Sequence, residues 1–364
     1  MRPVLALGLV AVALAAGCGT SSSPEVRSPE ARLDLAAAWV QAPPADVGLD
    51  AAALEAGAAR AAGIPRFRSL LVARHGKLAF ERYLRGTDAQ TLFDARSVTK
   101  SVVSALVGIA LKDQALPSLD APVAPYLEPQ YALDPTDRGV QVRHVMTMTS
   151  GFQWDDDRDY NPWITSDDHV QYLLDRPRAQ PPGTEFTYNS AAVHLLGVVL
   201  QRATGTPLPE YANRHLFDAL GVGTVAWEAL DRGTVNGGSG IRLRARDLLK
   251  FGQLYLQGGW SGARSIVPQS WVDETTRPQF AWRATYGAQH SVTYGMLWWV
   301  SDAEPRASFA WGYGGQFVYV VPQRDLVVVA TTDWSNLRQE TTPLALAEEV
   351  LGIIVEDLVP AARP

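Results

Sequence analysis

Ser97 and Lys100 stand three residues apart in Ser97-Val98-Thr99-Lys100, at the head of a run where Val98, Val102, Ala105, Leu106 and Ile109 are apolar. That spacing predicts a helix over residues 97–112 with one apolar face. Ser97, Lys100, Ser101 and Ser104 fall on the other face. Side chains three apart on a helix are neighbours, so the Lys100 amine can reach the Ser97 hydroxyl. Serine is a poor nucleophile until a base takes its proton. Lysine is such a base when burial and nearby positive potential keep it partly neutral. The helix N-terminus favours an alkoxide at Ser97. The chemistry is attack on a carbonyl. The same tetrapeptide also describes a serine N-cap with a solvated lysine on the first turn, and the rest of the chain decides between the two.

A second candidate is Tyr188, delivered by Pro181-Pro182-Gly183-Thr184-Glu185-Phe186-Thr187 to the start of a helix expected over residues 189–203. A tyrosine there can pass a proton between Ser97 and a leaving group if the Lys100 ammonium raises its acidity. The alternative is a buried tyrosine with a satisfied hydroxyl. A third candidate is Trp311-Gly312-Tyr313-Gly314-Gly315-Gln316, running into a strand. Gly314 and Gly315 permit close approach of a ligand to backbone. A strand N–H there, with the N–H of the nucleophile, forms a two-donor oxyanion hole that contributes about 3–4 kcal/mol in the transition state. A Gly-rich hairpin or bulge is the alternative.

Elements at both ends of the chain must position these residues. Asp50 caps a helix over residues 51–62. Residues 69–73 and 78–83 read as a strand hairpin about His75-Gly76-Lys77. Residues 294–301, 316–321 and 326–331 read as strands rich in Val, Trp and Tyr, with Pro322-Gln323-Arg324-Asp325 as a turn. A helix over residues 344–358 closes the chain. Between residues 116 and 236 the text is helix and loop, with one helix ending at Ser150-Gly151 and another closed by Gly205. The implied class is α+β: one antiparallel sheet built from distant segments, flanked by helices, with a helical lobe beside it. The α/β lobe spans about 45–115 and 237–364, and the helical lobe about 116–236. A site is expected at their boundary.

The chain has 364 residues, 47% hydrophobic and 19% charged. A net charge of −6 without a long Lys/Arg run argues against nucleic acid as a partner. Cys18 is the one cysteine, so no disulfide forms within the chain. Residues 1–17 read as a lipoprotein signal peptide: Arg2, then a short apolar run over 4–16, then Leu14-Ala15-Ala16-Gly17-Cys18 in the manner of a bacterial lipobox. Lipidated Cys18 would hold the chain to a membrane in the cell envelope. The alternative is an ordinary secretory signal cleaved near Ala16. Residues 18–44, rich in Ser, Pro, Glu and Ala, read as a flexible tether to a domain over 45–364.

Asp155-Asp156-Asp157-Arg158-Asp159 and Asp167-Asp168-His169 lack the ligand spacings of zinc or calcium sites, so a solvated acidic loop and no metal are expected. His75 reads as surface and His194 as core. Trp298, Trp299 and Trp311 read as core, with an apolar pocket wall as the alternative. The chain carries neither G-x-S-x-G nor a phosphate-binding glycine loop.

Ser97-Val98-Thr99-Lys100, Tyr188-Asn189-Ser190 and Tyr313-Gly314-Gly315 follow the order and approximate spacing of the serine β-lactamase/penicillin-binding-protein superfamily, which the chain resembles from about residue 45 to its end. It is most similar to the class C-like branch, which includes esterases, D-aminopeptidases and nylon-oligomer hydrolases. His144-Val145-Met146-Thr147-Met148-Thr149-Ser150-Gly151, Pro182-Gly183-Thr184 and Gly238-Ser239-Gly240-Ile241-Arg242-Leu243 add to the likeness. The resemblance implies a β-lactamase/transpeptidase-like fold with Ser97 as acylated nucleophile, Lys100 as base and Tyr188 as proton shuttle. It also implies an oxyanion hole from the backbone N–H groups of Ser97 and Gln316. Ser190, Tyr313, Gly314 and Gly315 would bind substrate. Ser190 stands where many β-lactamases have Asn, and Tyr313 where the family often has a cation for a substrate carboxylate. The Ser190 hydroxyl can still bond an amide at shorter reach, and the uncharged Tyr313 favours a neutral ester or amide over a β-lactam or stem peptide. The expectation is a cofactor-free serine hydrolase acting on a small ester, amide or peptide. A β-lactamase or D,D-peptidase is the alternative enzyme, and a non-catalytic ligand-binding envelope lipoprotein the alternative of another class.

Overall fold

A computed structural model describes residues 32–337 and 341–363. The strands, in chain order, are β1 (Phe67–Arg74), β2 (Lys77–Tyr83), β3 (Leu92–Asp94), β4 (Ala226–Trp227), β5 (Ile241–Arg244), β6 (Trp260–Ser261), β7 (Arg264–Ser265), β8 (Ala284–Tyr286), β9 (Gln289–Tyr294), β10 (Trp299–Ser301), β11 (Ala307–Gly312), β12 (Gln316–Val321) and β13 (Leu326–Thr332). Eight of them form one sheet in the order β2-β1-β13-β12-β11-β10-β9-β8, every pair antiparallel. The fold is α+β.

Period-two alternation sorts the sheet's two faces. Val327, Val329, Val318 and Val320 join the core that includes Val102 and Leu106 of the Val98–Lys112 helix. Leu326, Val328, Ala330 and Phe317 join the core that includes Leu54 and Leu351 of the two terminal helices, Ala51–Gly63 and Pro343–Gly352. A sheet covered on both faces needs apolar residues at consecutive positions, which is why β12 and β13 read as unbroken apolar runs. The Asp50 carboxylate accepts hydrogen bonds from the Ala52 and Ala53 N–H groups at 2.9 and 3.2 Å, capping the first of these helices.

The Val98–Lys112 helix departs from the two-faced expectation. Residues 98–110 are buried all round, because the helix runs between the sheet and the Ser190–Thr204 helix. Its serines survive burial by bonding to backbone: Ser101 Oγ donates to the Leu297 carbonyl at 2.7 Å and Ser104 Oγ to that of Met296 at 3.0 Å.

Three further expectations are corrected. Residues 294–301 are not one strand but the end of β9, a reversal and β10, with Trp299 paired to Tyr294. At the reversal a Cβ on Gly295 would lie 2.1 Å from the Thr275 carbonyl oxygen, so only glycine fits. Residues 32–44 are docked rather than free. Leu35 is buried, and its N–H donates to Ser261 Oγ. Leu78 on the sheet-edge strand β2 exchanges backbone bonds with Val40 and Ala42, which covers edge groups that would otherwise stay unpaired. Third, the acidic run over 155–159 is no solvated loop. It opens the Asp156–Ile164 helix, and Asp159 is buried against Arg158 and Arg176. Residues 1–31, with Cys18 and the signal segment, lie outside the described residues.

Candidate active site

β5 and the loop before it clamp the turn that enters the Val98–Lys112 helix. The Ala95 N–H donates to the Ile241 carbonyl at 3.0 Å, and the Ile241 N–H donates to Thr99 Oγ1 at 3.1 Å. Arg96 between them takes φ 48, a left-handed backbone that side-chain-bearing residues adopt where the surroundings enforce it. Ser97 leaves this turn partly exposed, while Lys100, one turn on, is 1% exposed.

The Lys100 amine has three partners, each at 2.8 Å: Ser97 Oγ, Ser190 Oγ and the Gly238 carbonyl. Ser190 Oγ passes its own hydrogen to Asp156 Oδ2 at 2.6 Å, and the Ser190 N–H donates to Asp156 Oδ1 at 3.1 Å. The Trp154 indole N–H also donates to that carboxylate. A chain of polar atoms thus runs from Ser97 through Lys100 and Ser190 to a carboxylate at the head of another helix. Burial brings the Lys100 pKa down from 10.5 to about 7; the Asp156 charge pulls it back up, and the Arg96 cation adds to the lowering. Burial therefore favours the neutral amine, the form that accepts a proton.

Tyr188 precedes Asn189, whose side chain caps the Ser190–Thr204 helix by accepting from the Ala192 N–H at 2.9 Å. Its ring stacks on Trp299 with centroids 6.0 Å apart, and the Lys100 Nζ lies 4.8 Å from its centre. Burial, helped by the Asp156 charge, pushes the phenol well above 10, against a smaller opposing pull from a hydrogen bond with Ser97. Where Lys100 was expected to make this tyrosine more acidic, desolvation of the phenolate moves its pKa the other way. Tyr188 stays a protonated donor at neutral pH.

The glycine turn closes the other side. A Cβ on Gly312 would sit 2.3 Å from the Ala95 carbonyl oxygen, so the end of β11 presses against the chain just before Ser97. Gly314 and Gly315 follow at φ 75 and 96. Gln316 pairs with Gly312 in the ladder and its side chain turns into the interior, where Nε2 donates to Thr332 Oγ1 at 2.6 Å. Thr332 Oγ1 in turn donates to the Gly314 carbonyl at 2.6 Å, which fixes the turn. The Tyr313 ring meets Trp334 edge-on. Trp298 is core, buried against Phe251 and Tyr255, whereas Trp299 and Trp311 are partly exposed. His194 is buried, with Nδ1 at 3.1 Å from the Val235 carbonyl.

Ser97, Lys100, Tyr188 and Ser190 therefore meet at one place, with the Tyr313–Gln316 turn against the same entry loop. Sequence reasoning missed Asp156 and Arg96. Asp156 hid in an acidic run, and the signal for it was Trp154 beside a helix start. Arg96 carried no signal beyond standing next to Ser97.

A family model described as Beta-lactamase matches residues 53–350. The 6-aminohexanoate-dimer hydrolase of Paenarthrobacter ureafaciens is 26% identical over 290 residues, covering 74% of this chain and 73% of that protein. Esterase EstB of Burkholderia gladioli is 31% identical over 181 residues, 42% of this chain and 44% of that one. In structure, the penicillin-binding protein homologue from Pyrococcus abyssi matches 85% of this chain and 77% of its own with a TM-score of 0.64 at 18% identity, a likeness of fold. The matched region holds the Ser97, Lys100 and Tyr188 cluster, and the chain belongs to the Beta-lactamase family as a serine hydrolase.

Proposed function

We propose that the chain cleaves an ester or amide bond through an acyl-enzyme on Ser97. Ser97 Oγ attacks the carbonyl carbon and gives its proton to neutral Lys100. The negative oxygen that forms is met by the backbone N–H groups of Ser97 and Gln316. As the bond to the leaving group breaks, Tyr188 hands that group its proton and regains one from Lys100. Water then attacks the acyl-enzyme, its proton passes to Lys100, and Ser97 Oγ departs with a proton as the acid is released. No metal or organic cofactor enters these steps. The observation that carries the reading is the buried Lys100 amine, 2.8 Å from Ser97 Oγ with its pKa lowered to about 7. One relative is named for a 6-aminohexanoate dimer and another as an esterase, and the reading takes amides and esters together.

Ser97→Ala should abolish both labelling by a fluorophosphonate probe and turnover of 4-nitrophenyl butyrate. Undiminished turnover in that variant overturns the reading. Nitrocefin, a fluorescent penicillin and a D-Ala-D-Ala peptide in the same panel separate a β-lactamase or D,D-peptidase from an esterase or amidase. A wild-type chain that neither takes the label nor turns over any substrate is a binding protein instead. Attachment to a membrane through Cys18 is part of the proposal and rests on residues 1–18 of the sequence; an unmodified Cys18 in mass spectra of the mature chain overturns that part.

A further inference from the structure

The Arg96 guanidinium lies against three aromatic rings, its carbon 4.3 Å from the Trp334 ring centre, 5.2 Å from that of Tyr160 and 5.9 Å from that of Tyr313. Aromatic rings satisfy the flat faces of a guanidinium but accept nothing from its in-plane N–H groups. Among the described residues no carboxylate, carbonyl or hydroxyl accepts a hydrogen bond from this side chain, and its buried Nε has no partner. The nearest acidic neighbour in sequence, Asp94, spends Oδ1 on the Arg96 backbone N–H and has Oδ2 4.0 Å from Arg242, and the Arg96 charge acts on its carboxylate with no hydrogen bond between the two side chains. A held arginine without an acceptor calls for an explanation. Its place supplies one. Arg96 directly precedes Ser97, its charge reaches both Lys100 and Tyr188, and one of its rings belongs to the glycine turn.

We propose that Arg96, held by Trp334, Tyr160 and Tyr313, is the substrate-recognition cation of the site and pairs with a free carboxylate on the ester or amide cleaved at Ser97. The pairing replaces the neutral-substrate preference expected from Tyr313 with a preference for monoanionic substrates. A planar carboxylate matches the planar fork with parallel hydrogen bonds. The inference rests on the proposed hydrolase reading and adds the substrate class to it.

Matched 4-nitrophenyl esters test it: butyrate and valerate against the half-esters of succinate and glutarate, together with acetate esters of 4-nitrophenol and 4-hydroxybenzoate, so that the carboxylate sits on either side of the scissile bond. In the wild type, kcat/KM for one anionic member should exceed its neutral partner by about tenfold or more. Arg96→Gln should lower that ratio at least about tenfold, and Arg96→Lys should leave an intermediate ratio, keeping the charge without the fork. A merely structural arginine would depress both esters alike and leave the ratio unmoved. If neither variant folds, salt decides on the wild type: raising NaCl from low concentration to 1 M should shrink the ratio through screening. A wild type that turns over both esters equally, or a ratio that survives Arg96→Gln, overturns the inference while the acyl-enzyme reading stands. Loss of the acyl-enzyme reading is seen separately, in turnover that persists in Ser97→Ala.

Discussion

Lys100 and Lys250 are both buried lysines on long helices, and only one of them faces anything reactive. Lys250 lies in the Ala245–Leu256 helix and donates to the Leu220 carbonyl at 2.8 Å, at the end of a short 3-10 turn over Asp218–Leu220. Its pKa is lowered by burial, with Asp247 pulling it back up. Lys100 shows the same pattern, with burial lowering and Asp156 raising, yet one of its three acceptors is the Ser97 hydroxyl. A buried lysine with a shifted pKa is thus no sign of catalysis by itself. What separates the two is a partner atom that can give up a proton and then form a bond.

The comparison breaks most readily at the amines. Lys100→Met should lower kcat/KM for a 4-nitrophenyl ester by about 10²–10⁴-fold, the usual contribution of a positioned base. Lys250→Met should keep kcat/KM within a few-fold of wild type while losing roughly 1–3 kcal/mol of stability in urea, because it strands the Leu220 carbonyl. Equal losses of activity in both variants would mean that Lys100 also serves only to hold the fold.

The carboxylate beside Lys100 gives the next largest effect. With Lys100 as the base, kcat/KM should climb with pH through about 7 as the amine loses its proton. The Asp156 charge favours the ammonium, so Asp156→Asn should move that climb to lower pH. It should also lower the plateau by roughly tenfold, since Ser190 Oγ loses a charged acceptor. Arg96 disfavours the ammonium, so Arg96→Gln should move the climb to higher pH. A climb that stays put in both variants would detach it from Lys100.

The parts of this site that were legible in the sequence are those fixed within one or two turns of chain. Ser97 and Lys100 meet because a helix brings residues three apart together, and Asn189 caps a helix whose closing Gly205 takes φ 64. The hairpin of β1 and β2 and the run of β12 into β13 follow from strand composition and turn residues. What stayed hidden depends on contacts far along the chain. Asp156 reaches Ser190 across 34 positions, and its acidic neighbours made it look solvated. The rings around Arg96 come from residues 160, 313 and 334. The docking of Val40 and Ala42 on Leu78 depends on an open sheet edge, which only the strand order reveals. The Tyr294–Ser301 reversal was masked because Trp and Tyr suit a strand as well as a tight aromatic corner, leaving Gly295 as its one local mark.

Two glycines offer the finest test of the same contrast. A Cβ on Gly238 would lie 2.4 Å from the Ser190 backbone oxygen, and Gly238 supplies the carbonyl that holds the third Lys100 hydrogen. A Cβ on Gly252, two residues past Lys250, would lie 2.5 Å from Val327 Cγ1 and 2.8 Å from Val318 Cγ1. Overpacking of either kind should destabilise by about 1–3 kcal/mol, read as a lower midpoint in urea. Only Gly238→Ala also pushes a Lys100 partner and the Ser190 backbone apart. Its kcat/KM should fall several-fold at temperatures where the variant is fully folded, while Gly252→Ala at the same stability loss should keep wild-type turnover. If the two variants lose activity together in step with stability, the Gly238 carbonyl has no part in holding the amine.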